Sequence, residues 1–268
     1  MKRFLLRLLR GFAIAYVLVL FVVAGCQSKM IYHPRVNPEP VLLRMAREQG
    51  IEPWRDADGQ LIGWRRPNPT AKARMLLFHG NALDAVGRTE YIHAFNALGW
   101  EVFVMEYPGY GARAGSPGMD AFLAAGRAAI ATLRAVDNRP LFLLGESIGS
   151  GTACAMAGEL PDQISGVLLV VPFARLAEVA ARVMPWIPTS AILRDAYDNI
   201  ATLAKYHGPV ALVVAANDEI VGADQGRKLH ESYTGRKLLI ELPDTMHNEF
   251  GIGPEVPWMR KAGEFLRQ

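Results

Sequence analysis

Short, almost unbroken apolar runs alternate along this chain with longer segments whose apolar residues recur at helical spacing. Arg74 to Phe78, Trp100 to Met105, Leu141 to Leu144, Val167 to Val171, Val210 to Ala215 and Lys237 to Leu242 read as strands, most of them without a polar face. Gln60 to Arg66, after an Asp58-Gly59 turn, reads as another. Between them, Glu90 to Leu98, Met119 to Ala135, Ile148 to Glu159, Ala223 to Ser232 and Val256 to Arg267 carry helical patterns, the first closed by Gly99. Continuously apolar strands separated by helices imply an α/β fold with a mostly parallel, doubly wound sheet covered on both faces. Chemistry in such a sheet belongs at the carboxyl ends of the strands.

The N-terminus follows a different pattern. Lys2, Arg3, Arg7 and Arg10 precede an uncharged apolar run from Gly11 to Gly25, the layout of a targeting segment. The run falls short of the roughly 20 residues that span a hydrocarbon core, although Leu8 and Leu9 extend it toward a membrane anchor. Val23-Ala24-Gly25-Cys26 resembles the lipobox of bacterial lipoproteins, in which small residues admit the signal peptidase and the cysteine receives the lipid. That resemblance implies a signal peptide over 1–25 and lipidation at Cys26; an uncleaved anchor with an incidental cysteine is the alternative. Gln27 after the cysteine implies, by the same resemblance, the periplasmic face of the outer membrane in a bacterial envelope.

This reading changes the meaning of the charge. The 29 basic and 26 acidic residues become 25 and 26 once the four N-terminal basic residues leave, so nothing in the charge points to nucleic acid. With Cys26 lipidated, Cys154 is the one free cysteine, expected to be buried in a helix, and an intrachain disulfide is excluded. A composition that is 51% hydrophobic and 21% charged excludes disorder. The proline-containing stretch and short helical pattern over 26–58 read as a tether leading onto a domain at 59–268.

Five strand ends carry polar or glycine-rich loops: His79-Gly80-Asn81-Ala82, Tyr107-Pro108-Gly109-Tyr110-Gly111, Gly145-Glu146-Ser147-Ile148-Gly149, Asn217-Asp218-Glu219, and the loop around His247. Gly-Glu-Ser-Ile-Gly between a strand and a helix has the form of a nucleophile elbow, a sharp turn that projects the serine hydroxyl. A serine needs a base, and the base needs an orienting carboxylate. His33 lies in the tether, His93 and His230 in helices, His207 before a strand and His79 before a glycine turn; His247 alone combines a late position with a strand-end loop. Asp218 is the best-placed acid, with Glu219 and Asp224 nearby alternatives and Asp195 and Asp198 weaker ones.

From about residue 60 to the end, "FHGNA", "EYPGYG", "GESIG", "NDEIV" and "MHNEF" resemble, in this order and spacing, the α/β-hydrolase-fold serine hydrolases. The subgroup they resemble includes membrane-associated depalmitoylases and monoacylglycerol or lysophospholipid hydrolases. The resemblance implies a catalytic triad of Ser147, Asp218 and His247. It also implies an oxyanion hole made by the N–H of Ile148 and a second N–H, that of Asn81 with Ala82 as the fallback. His79 is expected to be structural. In this fold the insert at about 173–207 carries a small helical cap, read as two short amphipathic helices split by "MPWIP", with Met184, Trp186, Ile187 and Ile192 as candidates for an acyl pocket. No metal-ligand cluster, phosphate-binding loop or dinucleotide fingerprint is present in the sequence, so no cofactor is expected. The expected function is that of a lipid-anchored serine hydrolase acting on carboxylic ester or thioester bonds of acyl substrates, including palmitate-like chains. The alternatives are a peptidase or amidase of the same fold and a non-catalytic envelope lipoprotein.

Overall fold

A computed structural model describes all residues, 1–268. Eight strands form one sheet: β1 (Glu52–Arg55), β2 (Leu61–Arg66), β3 (Ala73–Phe78), β4 (Trp100–Met105), β5 (Leu141–Glu146), β6 (Gly166–Val170), β7 (Val210–Ala215) and β8 (Lys237–Leu242). Their spatial order is β1-β2-β4-β3-β5-β6-β7-β8, antiparallel at β1-β2-β4 and parallel from β4 onward. Every residue of β3 to β7 is buried, because each strand contributes alternate side chains to two separate apolar layers. Leu76 and Phe78 of β3 enter one core, Met75 and Leu77 the other. The expected parallel sheet covered on both faces is therefore present.

Helices α3 (Thr89–Ala97), α4 (Met119–Val136), α5 (Gly149–Glu159), α9 (Ala223–Ser232) and α10 (Pro257–Arg267) fall where the apolar spacing places them. The cap holds three short helices rather than two: α6 (Leu176–Val183), the single turn α7 (Thr189–Ile192), and α8 (Asn199–Leu203), which packs on α5. Cys154 is buried in α5, as expected.

The first fifth of the chain shows two features beyond its sequence reading. In the 26–58 segment the short helical pattern becomes α2 (Glu39–Glu48), and the chain adds β1, an edge strand whose Pro53 pairs opposite Trp64 and whose Trp54 enters the core. And α1 (Lys2–Ile31) is one uninterrupted helix running past Cys26, long and apolar enough to cross a membrane. Its final turns rest on the cap: Gln27 is buried, its amide oxygen accepts the Arg194 N–H at 2.7 Å, and its amide nitrogen donates to Ile192 O at 3.3 Å.

Candidate active site

The site is assembled by strand register. Phe78 of β3 lies beside Gly145 of β5, so the His79-Gly80-Asn81 loop leaves the sheet next to Glu146 and Ser147. Ala215 of β7 lies beside Leu242 of β8, which sets the Asp218 and His247 loops side by side; Asn217 N–H donates to Thr245 O across them at 3.0 Å. The chain passes from β5 to α5 through a turn in which Ser147 has φ 50, a left-handed conformation costly for a residue with a Cβ. The tightness of the turn explains its glycines. A Cβ on Gly149 would stand 2.0 Å from Phe78 O, and one on Gly145 would stand 2.7 Å from Gly149 O. The Ser147 N–H donates to Val170 O at 2.9 Å, holding the serine over the end of β6.

Ser147, His247 and Asp218 form a continuous hydrogen-bonded chain. His247 Nε2 lies 3.0 Å from Ser147 Oγ, and His247 Nδ1 lies 2.8 Å from Asp218 Oδ2. Burial pushes the Asp218 carboxyl upward, but the hydrogen bond and charge of His247 and the amides of Val221 and Gly222 outweigh it, holding the group below its ordinary value. An ionised carboxylate only accepts, so the imidazole proton belongs on Nδ1 and the Nε2 lone pair faces the serine hydroxyl.

The other acid candidates have separate tasks. Glu219 accepts the backbone N–H of His247 at 3.0 Å. Asp224 pairs with Arg182 of the cap. Asp198 caps α8 and pairs with Arg175 at 2.9 Å, and the Asp195 carbonyl accepts the Tyr197 N–H.

Asn81 and Ile148 line the same pocket as Ser147, and their backbone N–H groups make no hydrogen bond within the chain. The Ala82 N–H is engaged by the Asn81 side chain at 3.0 Å, so the fallback donor is already satisfied. That side chain also accepts from the His33 N–H at 2.9 Å and Tyr110 O–H at 2.8 Å, and donates to Ile31 O. The loop is thereby stitched to the end of α1. His79 is fully buried, its Nδ1–H donating to Gly80 O at 2.7 Å, in agreement with a structural part.

Above Ser147 lies a cavity of about 420 Å³, within the usual range for a small-molecule site. Of the cap residues named from sequence, Met184, Ile187 and Ile192 line it. Trp186 does not: its ring is exposed and its carbonyl accepts the Tyr16 O–H at 2.8 Å. Two contributors have no clear signal in the sequence. Val23, Gln27, Met30 and Ile31 of α1 form part of the wall, although they precede the domain by tens of residues. Glu146, the variable position of the elbow, forms a nearly buried pair with Arg88 at 2.7 Å beneath the serine.

A family model described as "Serine aminopeptidase, S33" matches residues 69–201. An uncharacterized protein of Mycobacterium tuberculosis is 31% identical over 240 residues, covering 86% of this chain and 84% of that protein. An Arabidopsis thaliana protein named as alpha/beta hydrolase domain-containing is 23% identical, covering 91% of this chain and 93% of its own length. Among solved structures, an esterase of Pyrococcus furiosus has a TM-score of 0.66 at 16% identity, covering 88% of this chain and 97% of that one. A monoacylglycerol lipase of Paleococcus ferrophilus has a TM-score of 0.54 at 22% identity, covering 76% and 95%. These structural likenesses establish the fold.

Proposed function

This chain belongs to the α/β-hydrolase family, and from that premise we propose that it is a serine hydrolase cleaving carboxylic ester or thioester bonds of hydrophobic acyl substrates. The observation that carries this reading is the hydrogen-bonded chain Asp218–His247–Ser147 at the floor of an apolar cavity. His247 Nε2 accepts the Ser147 proton as Oγ attacks the acyl carbonyl, and Asp218 stabilises the imidazolium that results. The carbonyl oxygen becomes an oxyanion held by the N–H groups of Asn81 and Ile148. Collapse expels the alcohol or thiol, which takes the proton from His247, and leaves an acyl ester on Ser147. Water, deprotonated by His247, attacks that ester, releases the fatty acid and restores the serine.

Amide cleavage is the second reading, favoured by the description of the matching family model. An aminopeptidase holds the α-ammonium of its substrate with a carboxylate. Here the one carboxylate lining the cavity, Glu146, is neutralised by Arg88 at 2.7 Å, which favours the ester reading. Turnover of p-nitrophenyl esters of graded chain length against aminoacyl-nitroanilides separates the two; a faster rate on the anilides overturns the ester assignment.

We further propose that the N-terminus holds the enzyme at a bacterial envelope membrane, with Cys26 as the lipidated residue. The exposure of the Cys26 side chain and the exposed apolar surface of α1 support this reading. Intact mass of the membrane-extracted protein tests it: a chain starting at an unmodified Met1 excludes lipidation with cleavage.

A further inference from the structure

Resting on the reading that the N-terminal segment is held in a membrane, we propose that the Ser147 pocket opens into the hydrocarbon of that membrane. The end of α1 is one of its walls and the tip of the cap is immersed beside it, so that acyl chains pass laterally from the bilayer to the serine.

The direction comes from two contacts between α1 and the cap. Near its C-terminal end, α1 is fastened through Gln27 to Ile192 and Arg194. Further toward its N-terminus, the Tyr16 hydroxyl donates to Trp186 O. At about 1.5 Å per residue these contacts lie about 16 Å apart along the helix. The uncharged stretch of α1 runs from Gly11 to Ser28, roughly 27 Å, so a membrane matched to it encloses Tyr16. The cap thus descends alongside α1 past the membrane surface, and Trp186 lies below that surface.

The character of the cap surface agrees. C-terminal to α1, six large apolar side chains are exposed, and four of them belong to segments bordering the pocket. Val183 and Ile220 line it, Trp186 stands between the lining residues Met184 and Ile187, and Met246 precedes His247. Val183 is 70% exposed and Trp186 61%, which in water leaves an unpaired apolar patch at the pocket border. In hydrocarbon the same patch is satisfied, and Val183 belongs both to that patch and to the pocket lining.

Cleavage before Cys26 removes Tyr16 and Val23 but retains Gln27 on the cap and Met30 and Ile31 in the pocket wall, with the lipid anchor at Cys26 beside them. The Asn81 side chain, bonded to Ile31 O and His33 N–H, ties this membrane-proximal segment to the loop beside Ser147.

Trp186 supplies its own probe. Trp54, Trp64, Trp100 and Trp258 are each 5% exposed or less, and α1 contains no tryptophan, so bromine in the acyl chains of a bilayer reports chiefly on Trp186. The full chain is reconstituted into phosphatidylcholine vesicles with or without bromines at carbons 9 and 10. The expected result is a loss of about a third of the tryptophan emission in brominated vesicles, a loss absent from the Trp186→Phe variant. Equal emission in the two vesicle types overturns the proposal.

The Trp186→Asp variant is expected to turn over a long-chain ester embedded in vesicles at least fivefold more slowly. Its rate on a soluble short-chain ester is expected to stay within twofold of wild type. Equal effects on both substrates, or no effect on either, also overturn it. Labelling of Ser147 by a fluorophosphonate in the same vesicles reports separately on the hydrolase reading, so failure of one is distinguishable from failure of the other.

Discussion

Asp218 gives one carboxylate oxygen to His247 Nδ1 at 2.8 Å, while the other accepts the N–H groups of Ile220 and Val221 at 3.0 and 2.8 Å. The backbone therefore holds the carboxylate, and the carboxylate holds the imidazole in the tautomer that faces Ser147. Asp218→Asn preserves the shape but offers an N–H where a lone pair is required. kcat is expected to fall about 10³- to 10⁴-fold in ester hydrolysis, with KM changed little.

Acid stability reports on the same residue. The folded-state pKa of Asp218 is depressed, so the stability it contributes is present above the unfolded carboxyl value of about 3.9. That contribution is lost as pH falls through the lower folded value. A series of Tm measurements in acid is expected to show a steeper decline for wild type than for Asp218→Asn; parallel curves contradict the assignment.

Glu178 ties cap helix α6 to α9. It accepts from Lys228 Nζ at 2.6 Å and Gln225 Nε2 at 2.9 Å, and from Arg175 at 3.1 Å. Partial burial acts to raise its carboxyl, yet these three donors push it down to about 2. The sign follows as for Asp218: the clamp is intact above the ordinary glutamate range and is released only as pH falls through about 2. Glu178→Gln is expected to loosen the cap at neutral pH, read as faster hydrogen exchange over α6, while exchange in the β5 and β6 amides stays unchanged.

The strands and the loops that bring Ser147, Asp218 and His247 together were legible in the sequence because both are carried by local signals. β4, β7 and β8 coincide with their apolar runs, and Ser147, Asp218 and His247 each follow such a run at a loop. β1 was not legible: four residues with a proline and one buried side chain make no periodic pattern, and its pairing with β2 creates the strand. Nor was the place of α1 against the cap. Tyr16 and Trp186 are 170 positions apart, and nothing in the apolar pattern of either segment specifies the other. The outward Trp186 illustrates the same limit, since hydrophobicity alone does not distinguish a residue facing a pocket from one facing outward.

Ile187 is buried in the cap and lines the cavity, so its bulk bears on the length of chain admitted. Ile187→Trp removes room for about two methylenes, each worth about 0.8 kcal/mol. kcat/KM on long-chain esters is expected to fall roughly tenfold while short-chain esters are spared. A uniform loss across an acyl-length series places Ile187 outside the acyl path.

The central claim, that Ser147 is the nucleophile, is tested most directly by reacting the full-length protein with a fluorophosphonate and mapping the adduct by peptide mass spectrometry. The expected result is one stoichiometric adduct on Ser147, abolished in a folded Ser147→Ala protein. A folded wild-type protein that stays unlabelled, or one labelled at another residue, contradicts it.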